Sequence, residues 1–458
     1  MYNGVRLLDR PSMANVHRLD MACLPLIVEM QHNGMLIDKA HFRALADKLL
    51  IAHDRILHQI THLLGAPLNP HSGDQVGQVL FHELQLIPPG GKISLTPTGK
   101  LSTDDDTLAA LATQHPVVAL IQECRELQKI RTTYAIPLPL TAGPDDRVHT
   151  LIKTTRAATG RLATGDAKQG LRNLQNIPTR GDWGTEVRNG FVAAPGCVIV
   201  SLDLAQIEMV WAAHLSQCPA MMQVFHDNSD IHTMTAINMF RLDPSVYIPL
   251  MWKDKRNEPM DVLESKIWKK FKREYRLPAK TLGFAVLFGV TGQGLQRQIL
   301  AAGGPYWTVA ECEEFIAKWF AVYPEVLSWM RLQFQKARRF GMVWDEFGRI
   351  RRIPGAQSVL RWLAEAALRE AGNMPIQGSA QGTIKMAMGA CGPIVAKYKA
   401  QGRCLPLMQI HDELLFEVER QMAEEFIADM RNLMEHVVEI SVPIRSSGDY
   451  AESWGGVK

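Results

Sequence analysis

Apolar and polar positions divide this chain into long helical stretches at the start and a few strand-like runs later on. Between residues 18 and 31, Leu19, Met21, Leu24, Ile27 and Val28 recur at helical spacing and stop near Asn33-Gly34, predicting one helix with a C-terminal stop signal. A second helix is predicted from about Lys39 to Leu64. Ser72-Gly73-Asp74-Gln75 has the form of a capping box and predicts a short helix through residue 84. After a turn-rich connector (Pro88-Pro89-Gly90-Gly91, then Thr96-Pro97-Thr98-Gly99) comes one long predicted helix, 104–133, with Arg125, Lys129 and Arg131 near its end. Those cations suit a solvated helix face favoured by the C-terminal dipole. Pro137-Leu138-Pro139 and Gly143-Pro144 break the pattern, which places a subdomain boundary near residue 141. Residues 148–200 have the pattern of short strands and loops.

The chain is organised around Val198-Ile199-Val200-Ser201-Leu202-Asp203. This run predicts a strand buried on both faces. The period then changes: Ile207, Val210, Trp211, His214 and Leu215 predict a helix over 206–216. Asp203 stands at the junction, where a helix N-cap and a functional carboxylate fit equally well. Asp230-Ile231-His232-Thr233 starts another helix, and 241–262 has an irregular, Pro-containing pattern. Lys266, Lys269, Lys270, Lys272 and Arg273 form a basic run of the kind usual on solvated helix faces. It leads into a helix with Pro278 in its first turn, where Arg276, Lys280, Phe284 and Phe288 are spaced by four along one face. Cations at a helix N-terminus oppose the dipole; they make sense where a polyphosphate binds and the aromatics stack beneath a base. Gly348-Arg349-Ile350-Arg351-Arg352 is a basic turn. Gly372-Asn373 predicts the end of one helix, with a further helix over 378–398. Cys404–Ile410 and 413–418 are strand-like runs separated by His411-Asp412, which suits a tight hairpin carrying Asp412 at its tip.

Composition narrows the function classes. At 458 residues, two to three subdomains are expected. No run of eighteen apolar residues exists, so no membrane span is expected. The seven scattered cysteines, without a C-x-x-C pair, argue against a zinc site or a disulfide framework and for a reducing compartment, a bacterial or viral-host cytoplasm being expected with an organelle left open. A formal net charge of only +3 means that any nucleic-acid surface depends on locally grouped cations. Two carboxylates, Asp203 and Asp412, brought together at strand ends repel unless they share a proton or divalent metals. With Lys280 on a helix, that set has the shape of two-metal phosphoryl transfer.

Three stretches together are specific. Ser201-Leu202-Asp203-Leu204-Ala205-Gln206-Ile207-Glu208 resembles motif A of the family A DNA polymerases; Arg276-x3-Lys280-x3-Phe284-x3-Phe288-Gly289 resembles their motif B, and Gln409-Ile410-His411-Asp412-Glu413 their motif C. Thr159-Gly160-Arg161-Leu162, Asn173 to Pro178 and Asn373-x3-Gln377-Gly378 are similar to primer- and template-contacting segments, so the resemblance spans nearly the whole chain. It implies an α+β, right-hand polymerase with an antiparallel palm sheet, helical fingers and a helical thumb. The corresponding bounds are 1–140 for the N-terminal segment and thumb, 141–225 and 375–458 for the palm, and 226–374 for the fingers. It further implies a monomer acting on primer-template DNA and dNTPs, with accessory replication proteins as further partners. Two Mg²⁺ ions would be held by Asp203, Asp412 and the Leu204 carbonyl. Lys280 and Arg276 would bind the triphosphate, Lys280 serving as general acid. Phe284, Phe288, Gln206 and His232 would face the nucleotide, and Glu208 would be the gate against a ribose 2′-hydroxyl. Lys129, Arg161, Asn173, Gln175, Arg369, Asn373, Gln377 and His411 would contact DNA, largely through phosphates and the minor groove. Glu413 is a secondary candidate.

The chain departs from the family pattern in several places. Leu204, Ala205, Met209 and Val210 replace the usual Tyr, Ser, Leu and Arg. Phe288 stands where a tyrosine usually supports the gate glutamate, which implies weaker ribonucleotide exclusion. Gly283 replaces the usual asparagine and loosens its helix by up to ~1 kcal/mol relative to Ala. A thumb-like pattern within the first twenty residues leaves no room for a 3′→5′ exonuclease, so no proofreading is expected in this chain. A single-subunit RNA polymerase is the rival enzyme, disfavoured by Glu208, and a catalytically silent DNA-binding scaffold is disfavoured by the Asp203, Lys280 and Asp412 set. Two-carboxylate glycosidase chemistry would leave the Arg276/Lys280 helix without a purpose.

Overall fold

The computed structural model describes residues 12–88, 91, 93–96, 98–178 and 181–457. Pro89, Gly90 and Pro97 of the connector lie outside them. At the centre is a four-stranded antiparallel sheet built from β1 (Cys197–Leu204), β2 (Cys404–Ile410), β3 (Glu413–Glu419) and β4 (Ser446–Ala451), in the order β4-β1-β3-β2. Val198, Ile199, Val200 and Leu202 are all buried. β1 can be apolar at consecutive positions because helices cover both faces of the sheet. The Leu24–Asn33 helix packs on β2, and the Ala423–His436 helix packs on β1 and β4. The predicted hairpin forms as expected. Its turn is His411-Asp412, with His411 in the left-handed region at φ +56°. Around the sheet the chain is mainly helical, which makes the fold α+β. A separate small core of Ile237, Leu250, Met251, Trp268, Phe271 and Ala279 holds the helices between 231 and 287 together.

Several predicted helices are divided differently. The 18–31 helix is two, Met13–Ala22 and Leu24–Asn33, with the break at Cys23 and Pro25 in the first turn of the second. The 104–133 helix is likewise Asp105–Leu111 and Pro116–Ile130, because Pro116 starts a new helix, and it ends in a wider π-type turn over Arg131–Ala135. Only half of the expected capping box forms. The Ser72 hydroxyl oxygen accepts from the Gln75 N–H (3.3 Å), but Gln75 Oε1 accepts from the Asn69 N–H instead of the Ser72 N–H. The stretch 241–262 contains a helix, Pro244–Lys255, that tolerates Pro249 inside it, and 148–200 contains the Gly181–Asn189 helix.

The largest correction concerns Gly372-Asn373, which does not stop a helix. Arg361–Ala390 runs unbroken through it and through Pro375. A Cβ on Gly372 would meet Phe334 and Met330 at 3.1 and 3.2 Å, so this glycine lets the Pro324–Phe340 helix approach closely. Packing outweighs the local stop signal, and the expected 378–398 helix instead divides at Cys391.

Candidate active site

β1 and β3 pair with Asp203 opposite Glu413, and the Leu204 N–H donates to the Asp412 carbonyl (3.2 Å), which draws the hairpin tip against the end of β1. Asp203 is a strand residue. The N-cap of the following helix, Ile207–Ser216, is Gln206 at φ +55° with no side-chain cap, so the N-cap reading of Asp203 falls. The Asp203 and Asp412 carboxyls are within hydrogen-bonding reach of each other. Burial raises both well above the usual carboxylate range, and at Asp203 the charge of Asp412 adds to it. Glu413 is raised by burial too, but accepts from the Ser201 hydroxyl at 2.5 Å, so its carboxylate is already engaged beside the pair.

These carboxylates open onto a cavity of about 540 Å³. One wall is the Leu277–Leu287 helix, which presents Lys280 and Phe284, with Arg276 at its N-cap. A second wall is Gln206, Glu208 and His232; Arg161, Gln377 and His411 complete the rim. Eleven of the residues singled out in the sequence thus converge on one space. Phe288 does not: it caps the helix C-terminus, 39% exposed, and is absent from the cavity wall. Lys129 is exposed on the Pro116–Ile130 helix, away from the cavity. Arg369 lies over Gly289, whose φ of +67° and whose distance of 2.6 Å from would-be Cβ to the Arg369 Cγ both require glycine. Asn173 caps a short 3₁₀ turn, its side-chain oxygen accepting from Thr164 Oγ1 and from the Gln175 N–H, and Gln175 Nε2 donates to the Gln409 carbonyl. Asn373 lies one turn before Gln377 on the same helix.

Two ion pairs shape the walls. Arg161 Nη2 donates to Glu208 Oε1 at 2.6 Å. Burial raises the Glu208 carboxyl above its usual range, and the Arg161 guanidinium offsets part of that rise. Arg276 grips Asp230 with two bonds, 3.0 and 2.9 Å, while Asp230 also caps the Ile231–Phe240 helix by accepting from the Thr233 N–H (2.7 Å). Burial works against the Asp230 charge, but the guanidinium prevails and holds the carboxyl far below its usual range. Losing both roles in Asp230→Ala is expected to cost about 2–4 kcal/mol in urea unfolding. A loss under about 1 kcal/mol would count against the pair. Because the folded-state value is lowered, this stabilisation is complete above the ordinary carboxylate value of about 4 and is lost only as pH falls through the folded-state value.

His232, 2% exposed, is pushed down to about 4 by burial and so stays neutral; its Nε2 has no protein partner, and its ring lies 5.5 Å from that of Phe284. Sequence reasoning missed Asp230 as the partner of Arg276, and Gln381, whose Nε2 is also buried without a partner on the cavity wall. Its only signal was its place four residues after Gln377. Gly283 sits behind the wall. A Cβ there would find ordinary contacts, with Met209 and Trp319 at 3.8 Å and His232 at 3.9 Å. Gly283→Ala is therefore expected to stabilise the chain by about 0.5–1 kcal/mol, visible as a raised Tm; a lowered Tm would show that the site needs the gap.

Comparison with known proteins accounts for this arrangement. The family model for DNA polymerase family A matches residues 39–256 and 260–456. The chain belongs to DNA polymerase family A. It is 35% identical over 443 residues to the thermostable DNA polymerase I of Thermus thermophilus, covering 96% of this chain and 48% of the relative. It is 32% identical over 453 residues to DNA polymerase I of Deinococcus radiodurans, covering 99% of this chain and 43% of the relative. The chain thus spans about half the length of the curated relatives it matches. Among solved structures it is similar to the POL domain of Pol1 from M. smegmatis, in complex with DNA primer-template and dNTP. That match has a TM-score of 0.80 and 27% identity, and covers 97% of this chain and 73% of that one. As in the sequence reading, no helix among the described residues is long and apolar enough to cross a membrane.

Proposed function

We propose that this family A chain is a template-directed DNA polymerase that adds deoxynucleotides to a primer 3′ end and releases pyrophosphate. The observation that carries the proposal is the meeting of Asp203 and Asp412 on one side of a cavity whose other side is the Arg276/Lys280/Phe284 helix. On this reading residues 1–140 hold the N-terminal segment and the thumb, 141–225 and 375–458 the palm, and 226–374 the fingers. The chain would work as a monomer, in the cytoplasm, on primer-template DNA, with accessory replication proteins available to it.

The donor set suits a divalent metal. Both carboxyls are raised by burial, Asp203 further by the charge of Asp412, so a divalent ion would favour their ionised forms, and their oxygens match the hard ligands Mg²⁺ prefers. Asp203, Asp412 and the Leu204 carbonyl would hold two such ions. Bound there, the ions would supply charge neutralisation at the attacking and leaving oxygens. Everything else falls to the chain itself. Arg276 and Lys280 bind the triphosphate at a helix N-terminus, and Lys280 gives a proton to the departing pyrophosphate. Phe284 lies against the incoming base, with His232 Nε2 and Gln206 lining the same pocket. Glu208, fixed by Arg161, closes on the sugar edge. Arg161, Asn173, Gln175, Arg369, Asn373, Gln377, His411 and Lys129 contact DNA.

Primer extension with Mg²⁺, a defined template and either dNTPs or rNTPs tests the reading. Template-dependent extension with dNTPs is expected. Preferential use of rNTPs would favour a single-subunit RNA polymerase, and binding of primer-template with no extension would favour a silent scaffold.

A further inference from the structure

Far along the chain from these carboxylates, the helical N-terminal part brings together three side chains that lie outside the cavity described above. His53 is on the Lys39–Leu64 helix, His71 is on the loop that follows, and Cys124 is on the Pro116–Ile130 helix. We propose that His53, His71 and Cys124 form a binding site for a transition metal of the Zn²⁺ class, which clips these three segments together.

Geometry carries the assignment. The two Nε2 atoms are 3.1 Å apart, and all three ligand atoms lie within 4.8 Å of one another. The imidazole planes differ by 10° with centroids 5.4 Å apart, so the rings meet edge to edge with their nitrogens facing. Tetrahedral ligation at the usual Zn–N and Zn–S lengths needs ligand atoms roughly 3.3–3.6 Å apart, a small side-chain adjustment away. The surroundings already orient the ligands. His53 Nδ1 is 3.3 Å from Asp54 Oδ1, the outer carboxylate contact that leaves Nε2 as the lone-pair nitrogen. The loop bearing His71 is tied to the helix bearing Cys124, because Arg125 donates from Nε to the Pro70 carbonyl (2.6 Å) and also binds the Thr103 carbonyl. The His71 N–H donates to Asn69 Oδ1. Cys124 is fully buried while His71 is exposed, which leaves the outer coordination position for water.

The chemistry is selective. One thiolate with two imidazoles suits Zn²⁺ or Co²⁺ and not Mg²⁺, so this site and the carboxylate pair would take different ions. His71 is lowered by burial and by His53, which keeps its imidazole neutral, and burial pushes the Cys124 thiol up to about 11. Binding therefore breaks the Cys124 S–H bond, forms an S–metal bond and releases the proton to solvent, with no change of oxidation state.

The test is Co²⁺ titration of the chelator-stripped full chain in excess Mg²⁺, which occupies the carboxylates. One equivalent of Co²⁺ is expected to give a sulfur-to-cobalt charge-transfer band that Zn²⁺ abolishes. Cys124→Ser and Cys124→Ala should both lose the band, and His53→Ala and His71→Asn should each weaken Co²⁺ binding at least about tenfold. Tm measured without metal establishes that each variant is folded, and His71, being exposed, tolerates replacement. One equivalent of Zn²⁺ should raise the Tm of the parent chain and leave that of His53→Ala/His71→Asn unchanged. Overturning results are no band in the parent chain, which would mean the two histidines merely share a proton, or a band that persists in both Cys124 variants.

Discussion

Asp203→Ala is expected to lower primer extension by about a thousandfold or more while raising the Tm of the metal-free chain. The two effects have one cause. Asp203 and Asp412 are buried together, and burial with the charge of Asp412 pushes the Asp203 carboxyl up to about 8, so holding both carboxylates ionised at neutral pH costs free energy that an Mg²⁺ ion would relieve. Removing one carboxylate lowers that cost and abolishes the place where the ions bind. Metal-assisted stabilisation of transition-state charge is worth several kcal/mol, and each 1.36 kcal/mol is tenfold in rate. Primer extension and thermal unfolding, with and without Mg²⁺, give both readouts. Mg²⁺ should raise the Tm of the parent chain more than that of the variant. A variant that extends primers within tenfold of the parent would remove Asp203 from the metal site.

Glu208→Ala is expected to increase rNTP use relative to dNTP use by about 10- to 100-fold. The Glu208 carboxyl is held on the cavity wall by a 2.6 Å contact with Arg161, so it is a fixed obstacle with little freedom to swing away from an extra hydroxyl. A hydrogen bond to a charged group is worth about 1.5–3 kcal/mol, which sets that range. The sequence suggested that Phe288 leaves this glutamate without its usual hydroxyl support. Arg161 supplies support instead, and Phe288 is partly exposed and absent from the cavity wall. Phe288→Tyr is therefore expected to tighten selectivity by less than Glu208→Ala loosens it. Single-nucleotide incorporation ratios decide both, and an unchanged ratio in Glu208→Ala would remove it as the gate.

Local pattern was enough to reveal the sheet's central strand, the two-residue hairpin and the helix headed by Arg276 and Lys280. In each, the period of apolar residues and the turn or first-turn residues agree with the final structure. The positions of Asp203, Lys280 and Asp412 on a strand end, a helix and a hairpin tip were legible for the same reason. Motif resemblance then supplied the family.

What the sequence left open depends on distance in the chain. Gly372 carries the same local signal whether it ends a helix or admits a neighbour, and only the Phe334 and Met330 side chains decide which. Arg161 and Glu208 are 47 residues apart and Arg276 and Asp230 are 46 apart; no periodicity links them, and their pairing exists because the folded sheet and helices face one cavity. The absence of a C-x-x-C pair argued against a zinc site, and the sequence offers no motif that would link His53, His71 and Cys124. They meet only where two helices pack and the loop between them folds back. Local pattern thus determined the elements and the chemistry each carries, whereas packing, a property of contacts remote in sequence, decided which charges are paired and which ligands converge.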